Sequence, residues 1–239
     1  LSEIRLFAKK SPEIFMKCKH SAEKCGIIAA VCYKEKQRIS RDKTHETDHT
    51  TQEDETMAKI YVFLADGCEE IEALTPVDLL RRAGVQVTMV SIKEKERMVT
   101  GAHDIVIQAD CCFEDVDFAD KDLLVLPGGM PGTTNLGNHA GVTGQIRKFY
   151  EEGKMIAAIC AAPTVFGQMG LLEGREATCY PGLEEKLTGA KVVYTEVAVS
   201  DNVTTGRGPG KSIPFALSLV SQLLGQETAD DLAKTLVYA

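Results

Sequence analysis

Residues 157–163, Ala-Ala-Ile-Cys-Ala-Ala-Pro, set one thiol between an apolar run and small residues that end in proline. Met155 to Ile159 has the composition of a buried strand, and Ala161 to Met169 reads as a helix. Cys160 is therefore expected in a sharp strand-to-helix turn, the geometry called a nucleophile elbow when serine occupies it. At a helix N-terminus, partial positive charge and free N–H groups favour thiolate, lowering a cysteine pKa from roughly 8.5 by one to several units. Ala161 and Ala162 leave room for a substrate and for backbone donors, while Pro163 falls in the first turn, where it need not break the helix. Free cysteines are more often buried packing residues. Placement at a strand end tips the reading for Cys160 toward reactivity.

Gly128 and Gly129 follow a second apolar run, Asp122 to Leu126. If their loop faces the elbow, their unobstructed N–H groups would bind a developing oxyanion; a simple tight turn explains them equally well. Cys18, Cys25 and Cys32 recur every seven residues with His20 nearby, a sulfur stripe or a ligand set. The close C-x-x-C pairs of structural zinc sites do not occur, so no metal is expected.

The elements that must position the thiol alternate in type. Lys59 to Ala65 is a candidate strand, Glu70 to Ala83 a helix with Ile71, Leu74, Val77 and Leu80 on one face, and Val85 to Ile92 a second strand. Ile105 to Gln108 and Asp122 to Leu126 read as strands, Val142 to Glu152 as a helix, and the elbow unit follows. Short strands at Lys191 to Tyr194, Val197 to Ser200 and Val203 to Thr205 precede helices at Ser212 to Leu224 and Thr228 to Leu236. Such alternation predicts an α/β fold, a doubly wound α/β/α sandwich with a mostly parallel sheet. Ligands of such sheets sit beyond the carboxyl ends of the strands, where the loops at 66–70, 127–132 and 160–163 are expected to converge.

The chain has 239 residues and a formal charge of −8, distributed unevenly. Residues 1–56 carry 11 Lys/Arg and 10 Asp/Glu, so the remaining residues hold 16 basic against 25 acidic side chains. The acidic part lacks the basic stripe that nucleic-acid binding requires. No apolar run approaches the roughly 18–20 residues that span a bilayer. A domain able to bury a large core without disulfides, and no signal-peptide pattern, point to a reducing compartment, the cytoplasm. Residues 34–56 are almost wholly polar and are expected to be poorly ordered. Two units are thus expected, a weakly structured extension at 1–56 and a folded domain at 57–239. The purine-rich codons of Glu53-Asp54-Glu55 resemble a ribosome-binding site, which makes Met57 a candidate native start; the mass of the protein from its own host tests this.

A wider set of motifs runs in order through 57–239: Ala65-Asp66-Gly67-Cys68-Glu69-Glu70-Ile71-Glu72, Pro76-Val77-Asp78, Arg81-Arg82-Ala83-Gly84, Leu126-Pro127-Gly128-Gly129, the elbow, and Arg207-Gly208-Pro209-Gly210. Together they resemble the ThiJ/PfpI superfamily, in its DJ-one-like branch. The resemblance implies a flavodoxin-like, glutamine amidotransferase-like fold and a homodimer. It makes Cys160 the reactive, oxidation-sensitive cysteine and Glu72 the carboxyl that hydrogen-bonds its sulfur. It also makes Gly129 and Ala161 the backbone donors, with Gly128, Gly208 and Pro209 lining the pocket. Two departures follow from the residues present. Tyr180 stands where relatives often carry a histidine, and Ala161 stands where the peptidase-like branch has one, so no cysteine–histidine relay is evident and peptidase or amidotransferase activity is not expected. His103 occupies a position where many relatives have a pocket-approaching arginine; a surface histidine after the Gly101 turn is the plainer reading. His139 reads as a helix-cap neighbour. The implied function is cofactor-independent chemistry on small reactive carbonyls such as methylglyoxal, or on glycated protein or nucleotide, as a glyoxalase or deglycase. The alternative is a redox-sensing stress protein or chaperone acting through oxidation of Cys160. A kinase role has no support, because no G-x-x-x-x-G-K-[ST] loop occurs. The roles of Cys68, Cys111, Cys112 and Cys179 stay open.

Overall fold

The computed structural model describes residues 58–119 and 121–238. The expectations for the extension, its cysteine triplet and the start at Met57 lie outside the described residues. In chain order the elements are β1 (Lys59–Leu64), α1 (Glu70–Arg82), β2 (Gln86–Ser91), β3 (Met98–Thr100), β4 (Val106–Gln108), β5 (Cys111–Cys112), β6 (Leu123–Leu126), α2 (Gly132–Asn138), α3 (Ala140–Glu151), β7 (Met155–Ile159), α4 (Pro163–Gln168), β8 (Glu176–Ala177), β9 (Lys191–Val192), β10 (Val197–Ser200), β11 (Val203–Gly206), α5 (Ser212–Leu224) and α6 (Gln226–Thr235).

Seven strands form one sheet in the order β10-β11-β7-β6-β1-β2-β5. All its pairings are parallel except β10 with β11. Strand β1 sits inside this order, and its residues alternate between two cores. Ile60, Val62 and Leu64 face the cluster that includes α1, α5 and α6, whereas Tyr61, Phe63 and Ala65 face the cluster that includes α2, α3 and α4. Helices thus cover both faces, which is why the central strands read as continuous apolar runs rather than alternating ones. The expected doubly wound architecture is present. After β1 the chain crosses to β2 on one side and later to β6 on the other, so the topological switch lies at β1 and β6, and the loops that follow β1, β6 and β7 meet there.

Several differences are local. Lys191–Val192 pairs with Glu176–Ala177 in a separate two-stranded ribbon and not in the main sheet. The helix expected from Ala161 starts at Pro163 and runs six residues. Helix α2, rich in Thr, Gly and Asn, was not expected because those residues favour turns. His139 caps α3, its Nδ1 accepting from Val142 N–H at 3.1 Å. Among the described residues no helix is long and apolar enough to cross a membrane.

Leu126 is fully buried at the end of β6, one residue before the turn that carries Gly128. Leu126→Ala is expected to lower unfolding free energy by about 2–5 kcal/mol, read from the urea midpoint, because a packed sheet centre cannot collapse into the cavity.

Candidate active site

Cys160 follows β7 directly and has φ of 64°. A side chain in this left-handed region is strained by about 1–3 kcal/mol, so the surroundings must hold it. They do so on both sides of the residue: Cys160 N–H donates to Gly206 O at 2.9 Å, and Tyr180 N–H donates to Cys160 O at 2.8 Å. The elbow is thereby tied to β11 and to the loop after β8.

Glu72 lies in the first turn of α1 and is fully buried, although its type and helical position mark it as a surface residue. Its Oε2 accepts from Gly128 N–H at 2.9 Å. The carboxyl also faces the Cys160 thiol, which draws on it in the sense of a hydrogen bond, but Oε1 has no partner of ordinary hydrogen-bond geometry. Gly128 fills the narrow space between the two groups: a Cβ there would lie 2.6 Å from Glu72 Oε2 and 2.7 Å from Cys160 Cβ. Any larger residue would part acid from thiol. Gly129, at φ of 84°, turns the loop so that its own N–H and that of Ala161 meet the Cys160 side chain.

The electrostatics depart from the sequence expectation. Burial pushes the Cys160 thiol up, and the Glu72 carboxyl raises it further; the Gly129 and Ala161 N–H groups oppose this without overcoming it. The expected lowering counted only the helix terminus. That helix is short and begins three residues beyond the sulfur, whereas desolvation and an adjacent acid act directly on it. Burial likewise raises Glu72 to about 7, with the hydrogen bonds from Cys160 and Gly128 working against the rise. The two groups are one coupled acid pair, and their protons come off in two successive steps that belong to the pair.

The remaining expected residues divide. Tyr180, Gly208 and Pro209 lie together beside the elbow, the Tyr180 ring close against Gly208, where an added Cβ would stand 3.3 Å from Cδ2. His103 does not join the thiol. It is 65 % exposed and bonds Glu70, with Nδ1 2.8 Å from Oε2 and its backbone N–H donating to Oε1 at 2.8 Å. Burial alone would raise Glu70, but these bonds outweigh it and hold the carboxyl low, while His103 is raised by the same pairing. The sequence reading missed this partner; the signal for it was an acidic pair at the start of α1, where the helix dipole favours negative charge. Among the described residues Glu69, Glu70 and His103 are the one cluster with metal-ligand groups this close, and the ion pair accounts for it. The five described cysteines are all free, and burial raises Cys68 and Cys179 to about 11 and also raises Cys111 and Cys112. Those four are thiols at neutral pH.

A sequence profile of the DJ-1/PfpI family, described as such, matches residues 58–222. The chain belongs to the DJ-1/PfpI family. It is 40 % identical over 181 residues to Protein DJ-1 homolog B of Arabidopsis thaliana, covering 75 % of this chain and 41 % of that protein. The chain thus spans about two-fifths of the length of that relative. It is 37 % identical over 180 residues to Protein dj-1beta of Drosophila melanogaster, covering 74 % of this chain and 96 % of that one. Glutathione-independent glyoxalase DJR-1.2 of Caenorhabditis elegans is 34 % identical over 177 residues, covering 73 % and 92 %. Among solved structures, oxidized Toxoplasma gondii DJ-1 superposes with a TM-score of 0.73 at 36 % identity, covering 76 % of this chain and 99 % of that one. The expected family and fold are therefore those of this DJ-1/PfpI chain.

A carboxyl whose folded pKa lies above its unfolded value holds a proton that the unfolded chain has lost, so its contribution to stability declines as pH rises. For Glu72 the window runs from the ordinary carboxylate range to about 7. The decline is expected to be on the order of 2–3 kcal/mol. Comparing urea unfolding of wild type and Glu72→Gln from pH 4.5 to 7.5 isolates it: the difference in stability is expected to move in favour of the glutamine variant as pH rises, and a constant difference would overturn the assignment.

Proposed function

We propose that the chain is a cofactor-independent cysteine enzyme acting on small reactive carbonyls, in the manner of a glyoxalase or deglycase. The observation that carries this reading is the strained, tied-down Cys160, whose sulfur meets two backbone N–H groups and one buried carboxyl of raised pKa. The C. elegans relative named as a glutathione-independent glyoxalase supports the same class.

With methylglyoxal, Cys160 sulfur forms a bond to the aldehyde carbon as the Glu72 carboxylate takes the thiol proton. The carbonyl oxygen becomes an oxyanion facing the Gly129 and Ala161 N–H groups, then receives the proton from Glu72 to give a hemithioacetal. Glu72 next removes the proton from the former aldehyde carbon, and a proton is delivered to the neighbouring ketone carbon through an enediol. The aldehyde carbon is oxidised and the ketone carbon reduced within one molecule, leaving a lactoyl thioester on Cys160. Water cleaves that C–S bond, and lactate and the thiol are released. No external oxidant or reductant enters. An early hemiaminal or hemithioacetal adduct first releases its amine or thiol to regenerate the aldehyde, which then enters the same sequence of steps. A homodimer in a reducing cytoplasm belongs to this reading; sedimentation of the purified protein at twice the chain mass supports the pairing and a single-chain mass excludes it.

A second reading has its own support, since the Toxoplasma relative is described in an oxidized form. Here two equivalents of peroxide oxidise Cys160 through the sulfenic to the sulfinic acid, each peroxide being reduced to water, the same donors hold the product, and the chain acts as a sensor or chaperone without turnover. Steady-state assay separates the two. Cys160→Ala is expected to abolish lactate formation from methylglyoxal, and Glu72→Gln to lower kcat/KM by about 10²–10⁴-fold. In wild type, kcat/KM is expected to rise with pH through about 7, as Glu72 becomes able to accept the thiol proton; the glutamine variant should lack this limb. Full turnover by Cys160→Ala would refute the enzyme reading, and peroxide-dependent client binding without any turnover would favour the sensor.

A further inference from the structure

A cavity of about 200 Å³ opens beside the elbow, between the segment Met130 to Asn138, the first turns of α4 and the 3-10 turn that holds Lys186. Its wall includes Ala161, whose N–H bears on the sulfur, and Met130, the residue after the other N–H donor, Gly129. The cavity thus adjoins the residues that carry the site's donors. Taking liquid water at about 30 Å³ per molecule, the space holds a substituent of roughly half a dozen heavy atoms.

The polar character of the wall is specific. Thr133 is only 5 % exposed, and its Oγ1 is buried with no hydrogen-bond partner. Neighbouring hydroxyls are occupied: Thr164 Oγ1 donates to Ala161 O at 2.7 Å, and Thr134 Oγ1 lies against Met130 Sδ at 3.9 Å. A buried hydroxyl left unpaired is unfavourable, and native proteins seldom keep one without a partner from outside the chain. The one ionised side chain on the wall is Lys186, which forms no ion pair with any described residue, and no carboxylate lines the cavity. A spare donor at depth and an unpaired cation at the rim call for an anionic acceptor.

We propose that this cavity is a specificity subsite receiving a carboxylate borne by the carbonyl substrate, with Thr133 Oγ1 donating to it and Lys186 supplying the countercharge. The inference rests on the carbonyl-enzyme reading of Cys160 and narrows its substrate class to α-oxoaldehydes, or early adducts, that carry a carboxylate a few bonds from the reacting carbon. Thr133 and Lys186 act on binding and not on the reacting atoms, so their effect belongs in KM and in the ratio between substrates.

The test compares kcat/KM for 4,5-dioxopentanoate with that for its methyl ester, which has the same reacting carbons without the charge. Wild type is expected to prefer the acid, and added salt to reduce the preference, since Lys186 is exposed. Lys186→Met is expected to cut the acid-to-ester ratio by about threefold, the size of an exposed charge pair, through a raised KM. Thr133→Val should cut it by about tenfold, the size of a lost buried hydrogen bond to a charged group, and Thr133→Ser, which restores a hydroxyl, should recover it. Loss of fold is controlled by Thr133→Val itself, whose Tm is expected to equal or exceed that of wild type because an unpaired hydroxyl has been removed. Equal use of acid and ester by wild type, or a ratio unmoved by both variants, overturns the subsite. Titration of the inert ketocarboxylate 4-oxopentanoate into wild type, followed by amide NMR, separates the two levels of inference. Shifts at Thr133 and Lys186 in a protein that turns over no carbonyl would sustain the subsite and sink the enzyme reading; turnover without acid preference and without such shifts would do the reverse.

Discussion

The contact between a buried carboxyl and a buried thiol is the constraint around which the rest of the site is arranged. Neither group belongs in an apolar interior in its charged form, and each makes ionisation of the other harder. Only one proton can be removed readily from the pair, and burial raises Glu72 to about 7, far nearer neutrality than the thiol. The fold must therefore supply donors to whichever atom carries the charge. Gly128 N–H serves the carboxyl, and the Gly129 and Ala161 N–H groups serve the sulfur. Backbone donors meet this need well because they are fixed by the strands and cannot swing away.

That arrangement follows from the parallel sheet. Adjacent parallel strands end at the same level, so the loops after β1, β6 and β7 arrive together, carrying Glu72, Gly128 and Cys160 from widely separated stretches of sequence. Register does the finer positioning: Leu126 pairs with Ala158, which places Gly128 two residues beyond one partner and Cys160 two residues beyond the other. Gly206 pairs with Ile159, which brings its carbonyl under Cys160 N–H and holds the strained residue in place. A slip of one residue in either pairing would turn the sulfur away from the carboxyl. The apolar burial that fixes register and the polar geometry of the site are therefore parts of one requirement.

Much of this was legible in the residues. Continuous apolar runs such as Leu123–Leu126 and Met155–Ile159 announced doubly covered strands, and glycine or proline after each marked the loops at their carboxyl ends. Cys160 could be singled out because it stands at such an end. Glu72 could not be, on physical grounds alone: a glutamate in a first helical turn is ordinarily solvated, and only the resemblance of the surrounding motif pointed to it. Its burial depends on Gly128, some 56 residues away, which is a tertiary fact. Helix α2 was hidden for a different reason, since Gly-Thr-Thr-Asn favours turns until the packing of Leu136 against the core decides otherwise. Thr133 gave no signal, because an unpaired hydroxyl is a property of surroundings and not of sequence.

The thiol carries the broader lesson. Reasoning from the helix terminus alone predicts a lowered pKa, and it fails because the dipole of a six-residue helix is a smaller effect than desolvation at the same atom. The failure also alters the chemistry. A standing thiolate would attack any electrophile or oxidant that reached it, whereas a protonated sulfur beside an acid of pKa about 7 reacts when a bound electrophile draws the proton across. On the proposed reading, sulfur and acid are a unit whose reactivity is released by binding. A carboxyl, unlike an imidazole, returns to a neutral acid when it accepts that proton, so in the proposed reaction charge would move from the carboxyl to the carbonyl oxygen without a buried ion pair forming. With Cys160 only 8 % exposed, the proposed route would avoid the largest desolvation penalty a cysteine–histidine relay incurs, and it needs no imidazole at the position of Tyr180.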